Sequence, residues 1–228
     1  MGVHVVWFKR DLRTRDHAPL AEALHAAQRS QKPLLLVYLW APETLAHPTT
    51  SSRHLRFQWE ALQDVNQTLS ETGTGLRVHG LQVNAAELLV WLHQHHGVEA
   101  LYSHEETGLQ HTYDQDLKVQ AWCRETGVTW HETPQLGVIR GLTERGPWTK
   151  NWHRNMRRPL VTPDFASCRR DAQGSVAVHW PEVWEVDKPP RPLHDLDLEG
   201  PGPFQPGGER PAFQTLASFF EDLSLIHI

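Results

Sequence analysis

VHVVWFKRDLRTRDHAPL, residues 3–20, is the stretch whose reading decides the fold. Val3 to Phe8 is an apolar run of strand length, and a dense patch of fixed charge follows at once in Lys9, Arg10, Asp11, Arg13, Arg15 and Asp16. Pro19 then opens a helix through Gln28, near the one helical position where a missing N–H costs nothing. A strand that ends in a charged loop and leads into a helix is the opening unit of an α/β chain.

The alternation continues. KPLLLVYLW (32–40) is a second strand, apolar throughout as a strand covered on both faces should be. SRHLRFQWEALQDVNQTLSET (52–72) places Leu55, Trp59, Leu62, Val65 and Leu69 at three- and four-residue spacing, a helix closing near Gly73. GLRVHG (75–80) is strand three, Asn84 caps the helix AAELLVWLHQHH, VEALYSH (98–104) is strand four, TYDQDLKVQAWCRETG is a helix ending at Gly127, and VTWHET (128–133) is strand five. Right-handed crossovers return each strand parallel to the last, which predicts a Rossmann-like, doubly wound five-stranded parallel sheet of order 3-2-1-4-5. In such sheets ligands sit at the carboxyl ends of the strands where the order reverses, here between strands one and four. The loops KRDLRTRD (9–16) and SHEETG (103–108) follow those strands. No G-x-G-x-x-G follows strand one and no G-x-x-x-x-G-K-[ST] occurs, which gives no support to a nicotinamide dinucleotide or a P-loop phosphate grip.

The bulk numbers bound the function class. Of 228 residues 21% are charged and 39% apolar, an ordinary globular balance, and the net charge of -5 gives no global attraction for nucleic acid or an anionic membrane. Cys123 and Cys168 lack both disulfide-scaffold numbers and zinc-site spacing, so a cytoplasmic location is expected. The start, MGVHVVWFKRD, reads as neither signal peptide nor membrane span. His93, His95 and His96 read as a solvated helix end and not a metal site.

From Pro134 the periodicity fades. Arg140 to Asp171 carries eight Lys or Arg against three acids. Within it Trp148, Trp152 and Met156 share one face of a short helix, expected to dock on the α/β domain, with a phosphate-facing patch as the alternative. Residues 181–211 are rich in Pro and Gly, the composition of an extended connector. GGERPAFQTLASFFEDL then begins a helix with Phe213, Leu216, Phe219 and Phe220 on one side, an apolar face that implies a missing second domain. LSLIHI (223–228) reads as the translation of a transposon-end sequencing adapter, an expected assembly scar.

Several of these stretches resemble the DNA photolyase and cryptochrome family. The opening matches its aromatic, basic pair, Asp-Leu-Arg and following Asp through Trp7, Phe8, Arg10, Asp11, Leu12, Arg13, Asp16 and Leu20. Arg53, Phe57, Glu60 and Leu62, LYSHEETG with Asp116 and Val119, GVIRGLTERGPWTKNW, and Gly207 to Glu209 add to it. The departure is Gln115, where the family pattern has a base. The resemblance implies an α/β domain over residues 1–133, a connector over 134–206 and the start of a helical FAD-binding domain over 207–222. It implies that Arg10, Asp11 and Arg13 form ion pairs across the contact with that helical domain. It also implies an antenna chromophore (folate, deazaflavin or flavin) near the strand ends, met by Glu105, with Glu106 as neighbour and Trp40 as stacking wall. The implied function is light-driven repair of pyrimidine dimers by electron transfer from reduced FAD, with a signalling cryptochrome as the alternative and a standalone nucleotide-binding module as a third. Damaged DNA would be met through the helical domain, the protein would be a monomer without membrane attachment, and this portion alone would be inactive, carry no catalytic residue and bind no FAD.

Overall fold

Alternate side chains of a strand face opposite sides of its sheet, and the first strand uses both sides. The structure is a computed structural model that describes residues 2–166, 177–194 and 204–223. In β1 (Val3–Phe8) the side chains of Val3, Val5 and Trp7 enter one core, and Val6 and Phe8 the other. The chain continues through α1 (Ala18–Ser30), β2 (Leu34–Leu39), α2 (Pro42–Leu45), α3 (Ser52–Glu71), β3 (Val78–Leu81), α4 (Ala85–His95), β4 (Val98–His104), α5 (Gln110–Thr126) and β5 (Thr129–Thr133). All five strands are parallel, in the order β3-β2-β1-β4-β5. Leu88 and Leu92 of α4 with Val119 and Trp122 of α5 cover one face. Leu20 and Leu24 of α1 with Leu55, Leu62 and Val65 of α3 cover the other. The doubly wound fold read from the sequence is the fold observed, and it places β1 at the centre with the reversal between β1 and β4.

Local chemistry moves some boundaries. The residue preceding α1 is His17, whose Nδ1 accepts the Leu20 N–H at 3.1 Å, so Pro19 lies one position further in than expected. The four residues of α2, started by Pro42, have no apolar period long enough to read. Asn84 precedes α4 but its side chain does not cap the helix; its amide turns toward the Glu43 carboxylate instead. At the end of α4, His95 stacks on Trp91 with ring centroids 4.3 Å apart, and His93 meets Trp122 edge-on. Gly127, at φ 74, ends α5 in the left-handed conformation that costs glycine nothing.

After β5 the chain folds back over the sheet. Arg140 donates to Asp116 at 2.9 Å, to Glu132 at 2.9 Å and to the Glu106 carbonyl at 2.8 Å. Two further helices follow, α6 (Trp148–Met156) and α7 (Glu209–Ser218). Trp148, Trp152 and Met156 of α6 are 39%, 37% and 46% exposed, which corrects the expectation that this stripe docks on the α/β domain. The Pro-rich stretch is not wholly an extended connector either. Trp184 is buried against Trp91, with Trp180 beside it, and Glu185 bridges to Leu81, because two large aromatic rings bury enough apolar area to hold a chain that proline composition alone would leave loose. Cys168 and residues 224–228 of the expected scar lie outside the described residues. No described helix is long and apolar enough to cross a membrane.

Gly80 in β3 faces Trp40 and Leu62, and a Cβ there would come within 2.7 Å of both side chains. Gly80→Ala is therefore expected to lower stability by about 1–3 kcal/mol through overpacking, read as a reduced urea midpoint with an unchanged slope.

Candidate functional site

The charged loop after β1 is built around one enclosed carboxylate. Asp11 is 1% exposed and accepts the Lys9 backbone N–H at 2.6 Å through Oδ1. Its Oδ2 lies against Nδ1 of His104, at the end of β4, and 3.0 Å from Nε2 of His17, though the latter is poorly aligned for a hydrogen bond. Nδ1 of His17 already takes the Leu20 N–H, so the proton of a neutral His17 resides on Nε2 and points toward Asp11. The carboxylate likewise fixes the His104 proton on Nδ1. Among the described residues these three form the one trio able to converge on a metal ion. The proton on His17 Nε2 occupies the lone pair that ligation would need, and the trio reads as a hydrogen-bonded hub. Burial alone would raise the Asp11 pKa, but the two imidazoles outweigh it and hold the carboxyl far below the ordinary range. Burial lowers that of His17 and so favours its neutral form.

The remaining charges of the loop each have their own partner. Lys9, 6% exposed at its side chain, sits 2.8 Å from Asp116 and 4.4 Å above the Trp7 ring. Arg10 pairs with Glu106 at 3.2 Å. Arg13 donates to the carbonyls of Arg15 and Asp16, and Asp16, at φ 49, accepts the Val161 N–H at 3.0 Å.

Beside this loop opens a cleft of about 940 Å³ at the carboxyl ends of β1 and β2, the size range of small-molecule sites. Tyr38 and Leu39 line its β2 side, Leu55 and Phe57 of α3 and Phe213 and Leu216 of α7 contribute apolar wall, and Arg10, Glu106 and His111 contribute polar groups. Both ring nitrogens of His111 are enclosed without a hydrogen-bond partner. Burial, then His47 and Arg10, lower its pKa, so it presents one N–H donor and one acceptor at neutral pH. His47 stacks on it at 4.1 Å. Such orphaned groups on an apolar cleft fit a planar heteroaromatic ligand with polar edges.

The far wall is held in place by α3. Gly207 donates to Glu60 at 2.8 Å and lies so close to α3 that a Cβ would come 2.0 Å from the Phe57 carbonyl oxygen. Asp64 accepts the N–H groups of Glu209 at 2.8 Å and Arg210 at 3.1 Å, capping α7 from a neighbouring helix. Glu209 in turn accepts from the Thr14 N–H and hydroxyl at 3.0 and 3.1 Å, and Arg15 lies 5.0 Å over the Phe213 ring. Arg53 and Arg56 hold Phe204 between them at 4.8 and 4.5 Å.

These positions revise the expected roles. The charged loop does meet the carboxy-terminal helix, but through Thr14 and Arg15. Asp11 is spent inside the α/β core, Arg13 on local carbonyls and Arg10 on Glu106, so none of the three pairs with α7. Trp40 is 2% exposed, bonded to Gln58 and packed edge-on against Tyr38, and it does not line the cleft: the strand turns its ring into the core beneath Gly80. Glu105 does not line the cleft either, its backbone N–H joining Thr133 at the sheet end, whereas Glu106 does. Thr14 was missed because it is the uncharged member of a loop read for its charges, and His111 because it stands in no motif.

Residues 4–139 match the family model described as DNA photolyase. An 88-residue segment is 31% identical to cryptochrome-1 of Arabidopsis thaliana, spanning 39% of this chain and 12% of that protein. A cryptochrome from Synechocystis superposes with a TM-score of 0.72 at 16% identity, over 97% of this chain and 46% of its own. A class III photolyase from Agrobacterium tumefaciens gives 0.65 at 20% identity, over 97% and 45%. An archaeal photolyase from Sulfolobus tokodaii, solved with two FAD molecules and read as implicating a novel light-harvesting cofactor, gives 0.58 at 20% identity, over 76% and 37%. The chain thus spans less than half the length of each of these relatives.

Asp11→Asn places an amide where only acceptors fit and is expected to cost about 3 kcal/mol at pH 7. A depressed carboxyl stabilises above its unfolded pKa of about 3.9, and that contribution is lost as pH falls through and below this value. Urea titrations of both proteins should therefore show the gap narrowing below about pH 4.

Proposed function

Because the chain belongs to the DNA photolyase family, we propose that it is the amino-terminal, antenna-bearing portion of a light-driven flavoprotein that splits pyrimidine dimers in DNA by electron transfer from reduced FAD. The observation that carries this reading is the cleft at the ends of β1 and β2, closed on its far side by α7 and lined by Glu106 and by His111, whose ring nitrogens have no hydrogen-bond partner. In this reading α7 begins the helical domain that holds FAD and meets damaged DNA, and Phe219 and Phe220, exposed just past its end, face that domain. The family's chemistry resides in the flavin, with the protein supplying position and electrostatics.

The cleft fits a second, light-harvesting chromophore, a role for which the Sulfolobus tokodaii structure gives a precedent. When bound, such a group supplies absorption and passes excitation to FAD. Glu106, fixed by Arg10 and by the Gly108 N–H at 2.6 Å, would accept from ring N–H groups. His111 would donate or accept at the opposite edge, and Tyr38, buried with its pKa raised by that burial, would stay a neutral phenol beneath the ligand. Gln115 contributes a neutral amide to the wall.

A signalling cryptochrome is the second reading, favoured by the segment shared with cryptochrome-1. The two are separated with the product of the complete reading frame: blue-light repair of dimer-containing DNA supports the first, and a light-driven change of partner without repair supports the second.

For the chain itself, fluorescence titration with folate, deazaflavin and FMN is expected to give saturable binding of one of them. Glu106→Gln should weaken it roughly tenfold, the loss of one charge-assisted hydrogen bond, and Glu105→Gln should leave it unchanged. Binding of none, or the reverse order of the two variants, contradicts the antenna assignment.

A further inference from the structure

The helix that closes the cleft is fastened by residues that do not reach it. Asp64 Oδ2 accepts the Glu209 and Arg210 N–H groups at 2.8 and 3.1 Å, its Oδ1 accepts from Arg210 Nε at 2.6 Å, and Thr14 holds the Glu209 carboxylate through its N–H and hydroxyl. Neither Asp64 nor Thr14 lines the cleft. Gly208, at φ 125, brings the chain so close to α3 that a Cβ there would come within 2.7 Å of the Asp64 side chain. These attachments all lie at the first turn of α7. Further along the helix Phe213 and Leu216 line the cleft, yet they stay 47% and 48% exposed.

A ten-residue helix holds its shape through packing more than through its own hydrogen bonds, and polar attachment at one end leaves the rest of it free to open locally. The missing packing is what a molecule filling the cleft supplies, because it covers the half-exposed Phe213 and Leu216. We propose that Asp64 and Thr14 are positioning residues for the ligand of this cleft: they set α7 so that Phe213 and Leu216 form the ligand's apolar wall, and the bound ligand in turn locks α7 onto the α/β domain. The coupling is reciprocal by thermodynamic necessity, so a change that loosens α7 also weakens binding. The inference rests on the reading of the cleft as a chromophore site and adds its regulation, in that occupancy of the cleft and docking of the carboxy-terminal helix each raise the other.

Amide hydrogen exchange of the 228-residue chain, alone and with folate, a deazaflavin or FMN at about one hundred times its Kd, tests the coupling. The compound that binds should slow the amides of residues 212–218 by about five- to a hundredfold, the upper figure being the limit set by that concentration. Asp64→Ala removes no cleft-lining side chain yet should weaken that compound about fivefold or more; Asp64→Asn, which keeps an oxygen for the two N–H groups, should recover part of the loss, and Thr14→Val should act in the same direction as Asp64→Ala. Phe213→Ala with Leu216→Ala should weaken binding about tenfold. Adding Asp64→Ala to that pair should then cost no more, because the helix has no wall left to place, whereas a merely structural Asp64 would cost as much as before. The exchange measurement on the unaltered chain keeps the test decisive if Asp64→Ala folds poorly. Binding of none of the three compounds removes the reading of the cleft and this inference with it. Binding with α7 exchange unchanged, an affinity indifferent to Asp64→Ala and Thr14→Val, or full additivity in the triple variant overturns the coupling alone and leaves the cleft's reading standing.

Discussion

An ionised carboxylate enclosed in protein must find compensating partners or be neutralised, and Asp11 finds them in three separate parts of the chain. One is its own loop, through the Lys9 N–H; the second is His17, at the start of α1; the third is His104, at the end of β4. These elements flank the reversal of strand order. Asp11 is satisfied only when β1, α1 and β4 stand in their native relation, and the loop of residues 9–16 is fixed at the same moment. The cost of leaving any of the three away is several kcal/mol, which makes this small network a specification of the fold's centre as well as a contribution to its stability.

What the loop then offers outward follows from what it keeps inside. With Lys9 turned to Asp116, Arg13 to local carbonyls and Asp16 to Val161, Thr14 and Arg15 remain to meet Glu209 and Phe213. From the opposite side α3 supplies a ledge: Glu60 and Asp64 take the backbone N–H groups of residues 207–210, and Gly207 is the close approach that lets them. The cleft is the space left between the two attachments. Its depth and its polar rim are consequences of holding α7 at both its start and its first apolar residue.

The sheet was legible because its signal is periodic: apolar runs of strand length, helices with three- and four-residue spacing and turn glycines give the order of all five strands. The family resemblance was legible through contiguous motifs, and the structure gives those motifs physical work, with Phe57 and Glu60 forming the ledge and Asp11 the hub. Individual roles were less readable, since a charge written beside a strand end carries no record of which partner it meets. Asp11 reads like its neighbours Arg10 and Arg13 yet is fully enclosed, and Glu105 and Glu106 are adjacent letters that part because a strand end turns one toward β5 and the other into the cleft. Trp40 at a strand end and Trp184 in a proline-rich stretch have surroundings opposite to those their sequence context implies, because burial of an aromatic ring is decided by long-range packing.

The central claim is that an ionised Asp11 fixes the protons of two imidazoles, and nitrogen-detected NMR of the histidine rings at neutral pH measures it directly. The account predicts a slowly exchanging proton on Nδ1 of His104 and, on His17, a proton on Nε2 with Nδ1 as acceptor. The opposite tautomer at His104, or rapid solvent exchange at both rings, would contradict it.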